Sequence, residues 1–285
     1  MISLLKKNYS ALMTLKNSYL NSLVINKYDK KELNVNNFLF ENELSLLKDH
    51  GHVEFKNILP ENINKILNQV FFQKKVFTPI ILEFFNFFYK EYFSLVKSYL
   101  GEDACLISIG VSEQKKDQKS FSGNWHTDNW GRSLNVFVSI KSNGLIPTVY
   151  VEGSHKKKYF ADYNEYLRLI GRNNNVEKKK SVLIKHDTND ISFFDGNGLH
   201  RGMYEKDSFR LTLNMTFVSF EKICALGLKK VPNFFCFKNT KPKIRKQIDS
   251  SMLLFDGLKS SDLQKYSFFK KELFILNNNG EYFSI

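Results

Sequence analysis

The sequence predicts a mainly β domain with flanking α-helices, its strands wound as a jelly roll, that is, a double-stranded β-helix. Three observations lead there. From Cys105 onward the chain falls into short runs separated by turn dipeptides such as Asn143-Gly144, Asp195-Gly196 and Asn197-Gly198. Residues 209–217 alternate strictly, with Phe209, Leu211, Leu213, Met215 and Phe217 on one side and Arg210, Thr212, Asn214 and Thr216 on the other. Ahead of the strands, apolar residues recur at helical rather than strand spacing. A chain of 285 residues with 42% hydrophobic composition is long enough and apolar enough to bury a core of this kind.

Taken in order, residues 1–36 are an N-terminal helical extension, since Leu4, Leu5, Leu12, Leu15, Tyr19 and Leu23 recur at roughly helical spacing. Packing on the β domain and lying on a membrane surface both remain open for it. The domain proper spans 37–221. Gly51 to Phe55 reads as a short strand, and Pro60-Glu61 suits the first turn of a helix striped by Ile63, Ile66, Leu67 and Val70. A second helix runs from Pro79 to Leu100 and stops at Gly101, its crowd of phenylalanines read as core. The strands follow: Cys105 to Ser112, Ser133 to Ile140, Thr148 to Glu152, Ser181 to Lys185, Ile191 to Phe194 and Arg210 to Phe220. The polar stretch 156–180, with a lysine triplet at each end and a helix around Tyr163 to Ile170, reads as a solvated loop. Residues 222–285 form a C-terminal extension expected to pack on the same domain, and its apolar Met252 to Phe255 leaves a homo-oligomer open.

The chemistry concentrates between Trp125 and Phe217. In extended chain, side chains two apart project on the same side, so His126 and Asp128 offer an imidazole and a carboxylate together. His200, at a later Gly-rich strand end, completes the two histidines and one carboxylate that hold Fe(II) while leaving positions open. Ten residues further, Arg210 and Thr212 share the polar side of an alternating strand and suit a carboxylate. An open metal position beside a carboxylate anchor is what a chelating keto acid requires. His155 competes for the distal ligand position, but no arginine follows it on an alternating strand at the right interval, and His50, His52 and His186 read as surface or loop residues.

These motifs resemble the Fe(II)/2-oxoglutarate-dependent oxygenases, and among them the phytanoyl-CoA dioxygenase-like family. Val151 to Lys156 resembles that family's Gly-Ser-His-Lys strand end, and the likeness extends over about Glu43 to Glu221. It implies a cupin-like jelly roll, with Fe(II) on His126, Asp128 and His200, 2-oxoglutarate as cosubstrate with its far carboxylate on Arg210 and Thr212, and O2 as oxidant. Asn135 and Ser112, with Ser108, are polar strand positions available to the keto acid's other carboxylate, while Trp125 and Arg201 are candidate substrate contacts. By the same resemblance, the 156–180 stretch is equally readable as a lid. The implied reaction hydroxylates a small, anionic molecule and releases succinate and CO2. A carboxylate at Asp128 argues against halogenation, because the related halogenases carry a small apolar residue there. Thr216 stands where nucleic-acid demethylases of the superfamily carry a second arginine, so nucleic acid is not the expected partner.

The net charge of +13 accords with an anionic substrate, although Lys, Asn, Phe and Ile are abundant together along the whole chain. Three cysteines, Cys105, Cys224 and Cys236, without CxxC spacing indicate neither a disulfide framework nor a zinc site. No window reads as a transmembrane span and the N-terminus lacks an uninterrupted apolar core, so a cytoplasmic protein is expected. Two other readings stay open: a jelly-roll metalloenzyme with non-oxidative chemistry, and a catalytically silent binding protein using its basic surface.

Overall fold

The computed structural model describes residues 19–29, 38–72, 76–77, 81–102, 104–115, 123, 125–128, 131–143, 146–158, 180–203 and 208–226, and the short strands at 254–255, 274–276 and 282–284. Within them, mostly antiparallel sheets are flanked by helices. The helices are α1 (19–29), α2 (Glu41–Asp49), α3 (Glu61–Phe72), α4 (Ile81–Glu91), α5 (Phe93–Leu100) and α6 (Phe220–Leu226). The strands are β1 (His52–Phe55), β2 (Val76–Phe77), β3 (Ala104–Lys115), β4 (Leu134–Asn143), β5 (Thr148–Val151), β6 (Ser181–Ile184), β7 (Ile191–Asp195), β8 (His200–Gly202), β9 (Phe209–Ser219), β10 (Leu254–Phe255), β11 (Phe274–Leu276) and β12 (Tyr282–Ser284).

Five strands form the larger sheet in the order β1-β7-β4-β9-β3, and three form the smaller in the order β6-β5-β8. The chain crosses from the larger sheet to the smaller twice, between β4 and β5 and between β7 and β8. Two short pairs stand apart: β10 runs parallel to β2, and β11 antiparallel to β12. Part of the apolar Met252 to Phe255 stretch is therefore strand. The stretch 159–179 and the leucines at 4, 5, 12 and 15 lie outside the described residues. No described helix is long and apolar enough to cross a membrane.

The larger sheet explains the alternation in β9. Leu211, Leu213, Met215 and Phe217 face a core shared with Phe84, Phe88, Tyr92, Phe93 and Val96 of the helical layer. The Phe88 ring stacks on Phe193 at 6.2 Å and on Phe217 at 5.7 Å, joining α4 to β7 and β9. Burying each such ring contributes about 1.5–3 kcal/mol. The opposite face of β9 is covered as well: Arg210 and Thr212 are buried despite their polarity. There Phe137 and Phe194 of the larger sheet pack with Tyr150 and Ile184 of the smaller, so the two sheets enclose a second, partly polar interior.

Three expectations change. The helix expected over Pro79 to Leu100 is two helices, broken at Tyr92, whose ring instead packs on Phe55 at 5.2 Å and Phe87 at 5.9 Å. Helix α2 appears where none was anticipated; it buries Leu44 and Leu47 and ends at Gly51, where φ of 87° supplies the left-handed residue a helix terminus favours. Of the histidines expected at surface or loop positions, His52 is instead a half-buried residue of β1, while His186 is in a loop, fully buried, with Thr148 Oγ1 2.9 Å from its Nε2.

Candidate metal centre

The crossing from β7 to β8 builds the site. His126 forms an isolated antiparallel bridge with His200, its amide donating to the His200 carbonyl at 2.9 Å and the His200 amide donating back at 2.9 Å. Direct pairing brings the two rings to 4.3 Å between centroids. Asp128 is fixed by its own amide, which donates to the Gly196 carbonyl at 2.7 Å within that crossing. One ligand atom from each of His126, Asp128 and His200 lies within 4.8 Å of the others, as a set able to hold a metal ion requires.

The protonation pattern suits a ligand set. Burial, reinforced by His126, pushes the His200 imidazole down to about 4, so it is neutral at physiological pH. Gly198 O lies 2.9 Å from His200 Nδ1, so that nitrogen carries the proton. The lone pair of Nε2 is then available, 3.9 Å from Asp128 Oδ1. The second carboxylate oxygen, Oδ2, accepts from the Asn135 side-chain amide, whose Oδ1 in turn accepts from the Thr216 hydroxyl at 2.8 Å.

Further along the same face of β9 lies the buried Arg210 side chain. Its guanidinium lies 5.7 Å from the Phe137 ring centre and donates to Ile146 O at 2.8 Å. Thr212 hydrogen-bonds Ser112 at 2.9 Å, and the Asn214 amide donates to Ser112 at 2.8 Å. Across the strand from Thr212 stands Ser139; its hydroxyl and that of Ser192 are buried with no hydrogen-bond partner among the described residues. Unmatched hydroxyls in a closed interior suit a polar occupant. Two imidazoles, one carboxylate and a buried guanidinium likewise fit Fe(II) with a keto acid carrying a second carboxylate.

Other candidate residues are placed differently. Arg201 stacks its guanidinium 4.8 Å over the Trp125 ring. Each neighbours a histidine of the ligand set, so strand alternation turns the pair to the opposite side of the His126–His200 bridge. The Ser108 side chain is outside the described residues. His155 is not one of the three, its Nε2 lying 3.1 Å from Lys48 O, and His50 faces Glu152 at 3.3 Å.

Sequence reasoning missed the supports of the site. Asp195 is fully buried behind it, and accepts from Tyr99 at 2.5 Å and from the Asn197 amide at 2.7 Å; burial pushes its carboxyl up to about 7. The loop after Asp128 is clasped by both flanking helices. Asp29 of α1 accepts from the Arg132 amide at 2.8 Å and from Lys222 of α6 at 2.7 Å, and Lys222 also donates to Arg132 O at 2.5 Å. A side chain at Gly131 would run into Ile25 and Asp29. No local signal marks these contacts, because their partners are far apart in sequence.

No family model and no curated protein matches the chain. Solved structures do resemble it. One is SnoK, a non-heme alpha ketoglutarate dependent carbocyclase from nogalamycin biosynthesis, at 10% identity and a TM-score of 0.48 over 63% of this chain and 84% of that one. EvdO2 from Micromonospora carbonacea var. aurantiaca is similar at 13% identity and a TM-score of 0.49, over 65% and 93% of the two chains. HygX from Streptomyces hygroscopicus with iron bound is similar at 10% identity and a TM-score of 0.49, over 76% of this chain and 97% of that one; HygX also has a structure with nickel and 2-oxoglutarate bound.

Proposed function

We propose that the chain is a non-haem Fe(II)/2-oxoglutarate-dependent dioxygenase of the phytanoyl-CoA dioxygenase-like kind, built on a double-stranded β-helix, that hydroxylates a small anionic substrate in the cytoplasm. The observation that carries this reading is that the His126–Asp128–His200 set and the buried Arg210 lie at the interior between the same two sheets.

His126, Asp128 and His200 hold the iron, with His200 oriented through its Nδ1–H and Asp128 through its backbone amide. Arg210 and Thr212 bind the far carboxylate of 2-oxoglutarate, the guanidinium as a planar fork and the hydroxyl steadied by Ser112. Phe137, Phe194 and Tyr150 wall the interior and exclude water, strengthening the charge pairing at Arg210. With iron and keto acid in place, the site supplies O2 activation coupled to oxidative decarboxylation, giving succinate, CO2 and a hydroxylated product. The net charge of +13 supports an anionic substrate.

The test is an anaerobic titration with Fe(II) and then 2-oxoglutarate, following the visible metal-to-ligand charge-transfer band. A band in the wild type, lost in His200→Ala and requiring far more keto acid in Arg210→Ala, supports the reading. A folded, Fe(II)-binding protein without a band sinks it and leaves a non-oxidative metal site in first place.

A further inference from the structure

We infer that Asn135 and Thr216 act as a positioning pair for the metal centre, committing one oxygen of Asp128 to the protein so that the other faces the ion. The inference rests on the metal reading above and deepens it, and it differs from a role for Asn135 as a contact to the keto acid.

The orientation follows from donors and acceptors. An ionised carboxylate only accepts, so the Asn135 group that meets Asp128 Oδ2 must be its NH2. That leaves Asn135 Oδ1 as an acceptor, and Thr216 donates to it at 2.8 Å. Were the amide flipped, its oxygen would face the carboxylate, so Asp128 fixes the orientation, and Thr216, whose hydroxyl can serve either way, donates to match it. Thr216 is held by register, opposite Asn135 in the β4–β9 ladder, and Asn135 is itself buried. Asp128 comes from a segment without regular pairing, so its side chain depends on contacts of this kind.

Gly196 adds a close contact beside this hydrogen bond. A Cβ there would lie 2.6 Å from Asp128 Oδ2 and 3.2 Å from the Asn135 amide nitrogen. Oδ2 thus lies close against Gly196 as well as the Asn135 amide, while Oδ1 is the oxygen turned toward His200 Nε2 at 3.9 Å. The chemical consequence concerns coordination positions. A carboxylate that closes on the ion through both oxygens occupies a position that the two-histidine, one-carboxylate set otherwise leaves open, and a chelating keto acid together with O2 needs those positions. Holding Oδ2 by a hydrogen bond keeps Asp128 a one-oxygen ligand.

The experiment measures two affinities separately on the full chain: Co(II) binding followed by its visible absorption, and 2-oxoglutarate binding to protein saturated with Fe(II) under anaerobic conditions. For Asn135→Ala we expect Co(II) affinity to fall about ten-fold, with an altered Co(II) spectrum, while 2-oxoglutarate affinity at saturating iron changes by less than about three-fold. Thr216→Val is expected to move Co(II) affinity in the same direction, and Thr216→Ser, which keeps the hydroxyl, to restore it. Unchanged Co(II) affinity and spectrum in Asn135→Ala, or a loss confined to 2-oxoglutarate affinity, overturns the inference and leaves the metal reading standing. A wild-type protein that binds no Co(II) overturns both.

Discussion

The carbonyl of Gly196 accepts the Asp128 amide at 2.7 Å, and the same residue leaves no room for a side chain, since a Cβ would sit 2.6 Å from Asp128 Oδ2. The turn between β7 and β8 therefore both anchors and shapes the acidic ligand. Its glycine is required by close approach, not by backbone conformation. Gly196→Ala is expected to weaken Co(II) or Fe(II) binding about ten-fold or more while far-UV circular dichroism stays that of the wild type. Equal metal affinity in the two proteins would remove Gly196 from the site.

Arg210 is predicted to act as a fork rather than as a positive charge alone. It is buried, with Nη1 already committed to Ile146 O, so a lysine cannot reproduce its geometry. Both Arg210→Lys and Arg210→Ala should weaken 2-oxoglutarate binding to the iron-loaded protein by at least about 2 kcal/mol, roughly thirty-fold. Retention of wild-type affinity in Arg210→Lys would show that charge suffices.

The Asp29–Lys222 pair predicts a coupling between the chain's two flanking helices. Lys222 is 1% exposed, and burial lowers its pKa against the opposing pull of Asp29. Removing Asp29 strands a buried cation, so Asp29→Ala should cost about 3 kcal/mol of unfolding free energy. Adding Lys222→Met should recover much of that loss, and the double-mutant cycle in denaturant measures the coupling. Additive single effects would deny the pairing an energetic role.

Stability should depend on acid through His155. Burial, with Lys156, Arg132 and His52 disfavouring a further charge, pushes its imidazole down to about 4, although the hydrogen bond at Lys48 O works the other way. In the unfolded chain it titrates near about 6.5. Between these values the unfolded state binds more protons, so this contribution is full above about 6.5 and lost as pH falls toward about 4. Asp195 runs oppositely: its carboxyl is raised from 3.8 to about 7, so its contribution declines as pH climbs through that interval. His155→Gln retains a donor for Lys48 O and leaves Asp195 in place. Its melting temperature should therefore fall less than that of the wild type between about pH 7 and about pH 5. Parallel curves would exclude His155 as the acid-sensitive group.

What could be read from the sequence was local. The strands from β3 to β9 announce themselves through Asn, Asp and Gly at turns, and β9 through a strict alternation that reports which side each residue faces, though not that both sides are buried. His126 and Asp128 share a side because of their spacing, and His200 lies beside them because of one bridge. The break at Tyr92 has no glycine or proline to signal it; it follows from the ring's place among Phe55, Phe87 and Phe88. Helix α2 was legible in principle, with Glu41 and Glu43 at its start and Gly51 past its end. Asn135 with Thr216, 81 residues apart, and Asp29 with Lys222, 193 apart, become neighbours only once the sheets and helices have packed.

The order β1-β7-β4-β9-β3 puts the last long strand between two made far earlier. Ser112 of β3 meets Thr212 of β9, 100 positions further along the chain, so a growing chain displays β3 as a raw edge until β9 has emerged. Assembly of the sheet is thereby a late event dominated by distant pairings, and slow by topology. The polar face that carries Arg210 arrives on that same strand. A ribosome pausing before residue 209 would hold a nascent chain with a sticky, unpartnered β3 and no Arg210, the stage at which a chaperone has most to protect.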